Sequence, residues 1–125
     1  MVAVVRRIEG ISVTYRIVTA LDLVDDAALI AAYRERHAPG AVWPEVVRDI
    51  VQRGYREMEI WQVADRLVMI AEVEDDFPRA ADPELQPVVA SWETAMDVYQ
   101  KPIAADGPKW AVMQRIFSLA DQTAG

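Results

Sequence analysis

Residues 55–74, YREMEIWQVADRLVMIAEVE, carry the pattern on which the fold turns. Residues 55–63 and 67–74 read as a pair of antiparallel strands joined around Ala64-Asp65-Arg66. The second, LVMIAEV at 67–73, is nearly continuous in apolar residues, as a central strand is. Upstream, Pro44 suits the first turn of a helix that turns Val46, Val47, Ile50 and Val51 inward and stops at Gly54. A loop with Pro39 and Gly40 separates it from an earlier helix, capped by Asp25 and carrying Leu29, Ile30, Tyr33 and His37 on one face. Before that, residues 10–23 alternate. Ile11, Val13, Tyr15, Ile17, Leu21 and Leu23 share one parity, and Ser12, Thr14, Arg16 and Asp22 the other, which predicts a half-buried strand. Downstream, Asp82 to about Tyr99 reads as a long helix with the stripe Leu85, Val88, Val89, Trp92, Met96 and Tyr99. Pro102 and Gly107 bracket an exit loop, and residues 109–119 read as a last strand.

The order strand, helix in two pieces, strand, strand, helix, strand is the split βαβ pattern of an α+β, ferredoxin-like domain with a four-stranded antiparallel sheet. Helices cover one sheet face. Apolar residues on both parities of 67–73 require a cover for the other, and a second copy of the sheet is the economical one, so a homodimer of the dimeric α/β barrel type is expected. The 125 residues show no repeat, linker or low-complexity tract, which gives one domain over 1–125 with its core at about 10–120.

Composition narrows the function. A formal net charge of −7 disfavours nucleic acid and anionic membrane partners. No apolar run approaches the roughly 18 residues of a spanning helix. The start, MVAVVRRIEG, places its charges after the apolar stretch, the wrong order for a signal peptide, and a cytoplasmic location is expected. The absence of cysteine removes disulfide and thiolate chemistry. One histidine without cysteine is a poor basis for a zinc site, so no metal is expected. No glycine-rich phosphate loop occurs, and none of Ser12, Ser91 and Ser118 lies in a GxSxG elbow.

His37, the single histidine, follows Tyr33 by one helical turn, so imidazole and phenol share a face. Imidazole gives and takes protons near neutrality; the plainer reading is a histidine that caps its helix. Trp43, Trp61, Trp92 and Trp110 offer large rings that pack against the C–H face of a sugar or simply fill the core. Trp92 stands out because Glu93 follows it. Most carboxylates fall at element ends or, like Glu45, in a first helical turn. Glu72 interrupts an apolar strand and faces either inward or to water.

Tyr33, His37, Trp43, Pro44 and Glu45 form a Y-x-x-x-H…WPE run. With Gly54, MEIW at 58–61, RLVMIAEVEDDF at 66–77, W-E-x-x-M at 92–96 and KW-x-x-M-x-x-IF-x-L at 109–119, the chain resembles the L-rhamnose mutarotase family over about residues 16–120. The resemblance implies a ferredoxin-like dimer that interconverts the α and β anomers of a deoxy-hexose without a cofactor. His37 and Tyr33 match the family's acid/base pair, with His37 the principal proton donor. Trp92 matches an aromatic sugar-binding position, and Glu93, Trp43, Met58, Trp61 and Glu72 complete the candidate substrate-binding set, with Glu93 or Glu72 open as the base. The long HAPGAVWPE loop and Trp92-Glu93 in place of paired tryptophans are similar to the L-fucose mutarotase branch. Rival readings are an L-rhamnose mutarotase, a ferredoxin-like haem-binding or monooxygenase protein with His37 as axial ligand, and a non-enzymatic sugar-binding dimer module.

Overall fold

The computed structural model describes residues 6–9 and 12–123, with only the backbone for 6–9, 12 and 13. Its elements are β1 (Arg6–Glu9), β2 (Ser12–Leu23), α1 (Ala27–Arg36), α2 (Pro44–Gln52), β3 (Tyr55–Val63), β4 (Arg66–Glu74), α3 (Gln86–Asp97), β5 (Gln100–Lys101), β6 (Ala111–Val112) and α4 (Leu119–Thr123). The strands make one antiparallel sheet in the order β1-β2-β4-β3, with β5 and β6 also on β2. Taking β6, β2, β4 and β3 together gives the ferredoxin-like arrangement expected from the element order.

The β3–β4 hairpin forms as read, around a two-residue turn in which Ala64 has φ +50°. The Asp65 carbonyl at its tip accepts from the Leu23 amide at 2.6 Å, which locks the hairpin to the end of β2. β4 runs centrally, registered on β2 from Thr14↔Glu74 to Asp22↔Arg66. Side chains alternate across a strand, so this register puts Leu21, Leu23, Leu67, Ala71 and Val73 on one face, all nearly fully buried beneath the helices. The core continues into the helices through Tyr33, Val46, Trp92, Met96 and Tyr99. Val68 and Ile70 point the other way, opposite Ala20 and Val18, and are half-buried. On the same outer face Trp61 and Val63 are 61% and 70% exposed.

Three local expectations are corrected. Asp26, not Asp25, caps α1; its side chain accepts from the Leu29 amide at 2.9 Å. In α2, Val46 and Ile50 turn inward, but Val47 and Val51 are exposed and Asp49 takes the inner position, because a nine-residue helix over one sheet face buries only a narrow stripe. Thr14, assigned to the polar side of β2, is buried at 1% exposure. Thr14 is paired on both edges, with Arg7 of β1 and Glu74 of β4, where a short side chain has little room to reach solvent. Ile11, assigned to the inward parity, lies outside the described residues, as do the first five residues of the amino-terminal stretch.

The last strand is also shorter than 109–119. Ala111 and Val112 pair with Ala20 and Thr19, and the Met113 amide donates to the Val18 carbonyl at 2.8 Å. There the ladder ends, two residues short of the stretch Ser12–Tyr15 where β1 pairs with β2. Ile116, Phe117 and Leu119 leave the sheet with 96%, 61% and 68% of their surface exposed. Gly54, at φ +105°, ends α2 and brings the chain into β3. A Cβ there would have to tolerate that left-handed backbone while touching Phe77 at 3.5 Å. Among the described residues no helix is long and apolar enough to cross a membrane.

Trp92 sits at the centre of the helical layer, 6% exposed, with Trp43 edge-on at 5.2 Å and His37 edge-on at 5.6 Å. Trp92→Ala is expected to remove roughly 3–5 kcal/mol of stability, as for other buried large aromatics. Urea denaturation followed by far-UV circular dichroism measures it; a loss below about 1 kcal/mol would show that the ring is not core.

Candidate active site

α1 ends on the site. His37 is its C-cap, with its backbone amide on the Arg34 and Glu35 carbonyls. The ring turns back along the helix, and Nδ1 lies 2.8 Å from the Tyr33 carbonyl oxygen. A carbonyl only accepts, so Nδ1 carries the hydrogen and the neutral ring presents a lone pair at Nε2. The capping and acid/base readings of His37 thus coincide, since one hydrogen bond closes the helix and fixes the tautomer. The Tyr33 and His37 rings lie 4.2 Å apart, and Tyr99 closes edge-on to Tyr33 at 5.8 Å. Gln100 Nε2 donates to the Tyr33 hydroxyl oxygen at 3.4 Å, which leaves the phenolic hydrogen free to donate elsewhere.

Burial sets the protonation of both groups. Desolvation lowers His37 below its ordinary value of 6.5, and the bond to the Tyr33 carbonyl only partly opposes it. Desolvation likewise raises Tyr33 above 10.0, while the Gln100 hydrogen bond pulls it back. At neutral pH the pair is therefore uncharged, with an acceptor at Nε2 and a donor at the phenol.

The pair lines a cavity of about 320 Å³ between helices and sheet. Met58, Ile60 and Met69 form its floor, on the helix-facing parity of β3 and β4. Glu93, Gln100 and Trp110 also line it, as do Asp49, Arg53 and Tyr55. Glu93 Oε2 accepts from Lys109 Nζ at 2.8 Å, and the same ammonium reaches Asp97 Oδ1 at 2.7 Å. Asp49 accepts from Gln86 Nε2 at 3.0 Å, a bond that ties α2 to α3. Among the described residues no three histidine or carboxylate side chains gather as a metal site would require.

The sequence-derived candidates divide. Tyr33, His37, Met58 and Glu93 meet around this cavity. Trp61 borders an adjoining cavity, beside Tyr33, His37, Arg34 and Gln62, while its indole N–H donates to Glu59 at 3.2 Å. Trp92 and Trp43 do not line the cavity; Trp92 lies on the apolar stripe that α3 gives to the core, and Trp43, just before α2, packs edge-on against it. Trp92 supports the His37 ring from the back. Glu72 does not face inward. It is registered on Arg16 and Glu57, on the sheet face away from the cavity, so it is no base for chemistry there.

The family model described as L-rhamnose mutarotase matches residues 16–119. The chain belongs to the L-rhamnose mutarotase family. It is 44% identical over 115 residues to an L-fucose mutarotase of Xanthomonas campestris pv. campestris, covering 85% of this chain and 89% of that protein. Its fold is shared by a crystal structure of an L-rhamnose mutarotase from Formosa agariphila, with a TM-score of 0.60 at 20% identity over 83% of this chain and 97% of that one.

Most of the cavity lining lies outside the site residues that the sequence suggests. Ile60 and Met69 were within reach of the sequence, because each shares a parity with Met58 or Leu67 once the hairpin is registered. Gln100, Lys109 and Asp49 carry no local signal, since they meet the site only through long-range packing.

The protonation states predict the pH profile of anomer exchange in this mutarotase. The rate should fall on the acid side through an inflection below 6.5, as Nε2 is protonated, and stay flat from neutrality towards pH 10, because Tyr33 keeps its proton. Linkage has the matching sign. The folded chain binds the His37 proton less readily than the unfolded one, so its contribution to stability is complete above about 6.5 and is lost as pH falls through the folded value. Buffer-corrected polarimetry and thermal melting across pH 4.5–9.5 check both, and an inflection above 7 contradicts the assignment.

Proposed function

We propose that this protein is a cofactor-free mutarotase that interconverts the α and β anomers of a deoxy-hexose, with L-fucose preferred. The observation that carries it is the Tyr33–His37 pair lining a monosaccharide-sized cavity together with Glu93 and with Gln100, which donates to the Tyr33 hydroxyl. Ring opening removes a proton from the anomeric hydroxyl and delivers one to the ring oxygen. Neutral His37 takes the first at Nε2, and the Tyr33 phenol donates towards the ring oxygen. The aldehyde turns about its bond to C2, and the return of both protons closes the ring as either anomer. Burial revises the sequence-based role of His37 as principal donor, because the resting ring is a base and becomes the donor only after accepting a proton. Water already catalyses this exchange slowly, and positioned acid/base groups supply roughly 10²–10⁴-fold, which is enough acceleration for the task.

Two observations support L-fucose. The 44% identical relative is named for that sugar, and Glu93 offers a hydroxyl acceptor where a second indole would only stack. His37→Asn keeps bulk and some hydrogen bonding without a titratable ring. L-fucose exchange, read by NMR saturation transfer, is expected to drop by roughly 10²-fold in this variant while the fold persists. Wild-type protein is expected to exchange L-fucose faster than L-rhamnose at equal concentration. Full activity in the variant removes His37 from the mechanism; no acceleration by the wild type for either sugar removes the mutarotase reading.

The protein also acts as a homodimer in this reading. The outer sheet face exposes Trp61 and Val63 and leaves Val68 and Ile70 half-covered, a surface suited to a second copy of itself. Sedimentation velocity at micromolar concentration should give a dimer, and Val68→Asp, a charge on that face, should shift it to monomer. A wild-type monomer would contradict the proposal.

A further inference from the structure

Lys109 lies at the end of the loop that follows β5, next to Trp110 on the cavity wall. Its side chain is 26% exposed, and its ammonium contacts two carboxylates of α3 one helical turn apart, Glu93 at 2.8 Å and Asp97 at 2.7 Å. Burial disfavours its charge, but the hydrogen bonds to Asp97 and Glu93 outweigh that and hold its pKa above the ordinary lysine value. The two carboxylates differ in what they face. Glu93 lines the cavity, whereas Asp97 does not appear on its wall. Glu93 Oε2 is taken by Lys109, and Oε1 has no protein partner among the described residues.

We infer that Lys109 is a positioning residue that fixes the Glu93 carboxylate in one rotamer, with Oε1 turned to accept a hydrogen bond from a sugar hydroxyl. The inference rests on the reading of the cavity as a sugar site. A half-exposed glutamate left alone samples several rotamers, and ordering it on binding costs affinity; an ammonium that is itself anchored twice removes that cost beforehand. Charge-assisted bonds at 2.7–2.8 Å are of the strong, short kind that such a task needs. The reaction atoms belong to Tyr33 and His37, and the Glu93 carboxylate and Lys109 ammonium act on Tyr33 in opposite senses, so Lys109 governs chiefly how tightly the sugar is held rather than how fast its ring opens.

A purely structural staple between loop and helix would use both carboxylates alike, and that difference is testable. L-fucose is titrated by NMR into wild type, Lys109→Met, Lys109→Arg, Asp97→Asn, Glu93→Gln and the Glu93→Gln/Lys109→Met pair, with anomer exchange measured at saturation. Lys109→Met is expected to raise Kd about tenfold with exchange at saturation within about threefold of wild type, and Lys109→Arg to restore Kd to within about threefold. In the Glu93→Gln background the lysine substitution should add nothing further, and Asp97→Asn should change Kd by less than about threefold. The inference is overturned if Lys109→Met binds like wild type, if its effect persists undiminished without Glu93, or if Asp97→Asn weakens binding as much. Wild-type protein that binds no L-fucose overturns the sugar-site reading together with it, an outcome distinct from normal binding that ignores Lys109.

Discussion

Everything in this domain hangs on the antiparallel ladder between β2 and β4. It runs from Thr14↔Glu74 to Asp22↔Arg66 and is closed at its upper end by the Arg66–Asp22 ion pair at 2.7 Å. A register slip of one residue would send Leu67, Ala71 and Val73 to the outer face and lift Val68 and Ile70 under the helices. The hairpin carries β3 with it, so the same slip would remove Met58 and Ile60 from the cavity floor. The register is over-determined by burial, because Leu21 and Leu67 face each other fully covered. The exposed ion pair contributes little beside that burial.

The site divides its charge between two sides. On the α1 side, burial keeps both Tyr33 and His37 neutral at rest, one from above and one from below neutrality. On the α3 side, hydrogen bonds to Asp97 and Glu93 favour the charged form of Lys109 against its burial. Groups that must change protonation sit where charge is disfavoured, and groups that only hold hydroxyls sit where charge is settled. The closing of α1 belongs to the same design, since the bond that satisfies the Tyr33 carbonyl also selects the nitrogen that reacts.

How much of this was readable beforehand depended on the range of the interaction. The hairpin, the Pro44 helix start, the Gly54 stop and the Tyr33–His37 spacing are local, and periodicity found them. Asp25 and Asp26 are adjacent equivalent caps, and only the backbone path chooses Asp26. Glu72 was undecidable in isolation because its face follows from register with β2, which no pattern within 67–74 encodes. Trp92 was weighed as platform or core; the stripe that made it visible is the stripe that buries it. Gln100 reaches the cavity, and Lys109 the Glu93 carboxylate, only after α3 returns the chain to β2, so nothing near them in the sequence marks their role.

The edge of β2 opposite β4 is shared by three separate strands, β1 at Ser12–Tyr15, β6 at Thr19–Ala20 and β5 at Asp22–Leu23. Backbone donors and acceptors along one edge are finite, so each tenant sets a limit for the next. While β1 holds its four positions, β6 could extend past Met113 only over Ile17 and Arg16. The two ends of the chain are thereby in direct competition for one row of hydrogen bonds. A change in length before Ser12 would be felt more than a hundred residues later, in where the segment carrying Ile116 and Phe117 departs from the sheet.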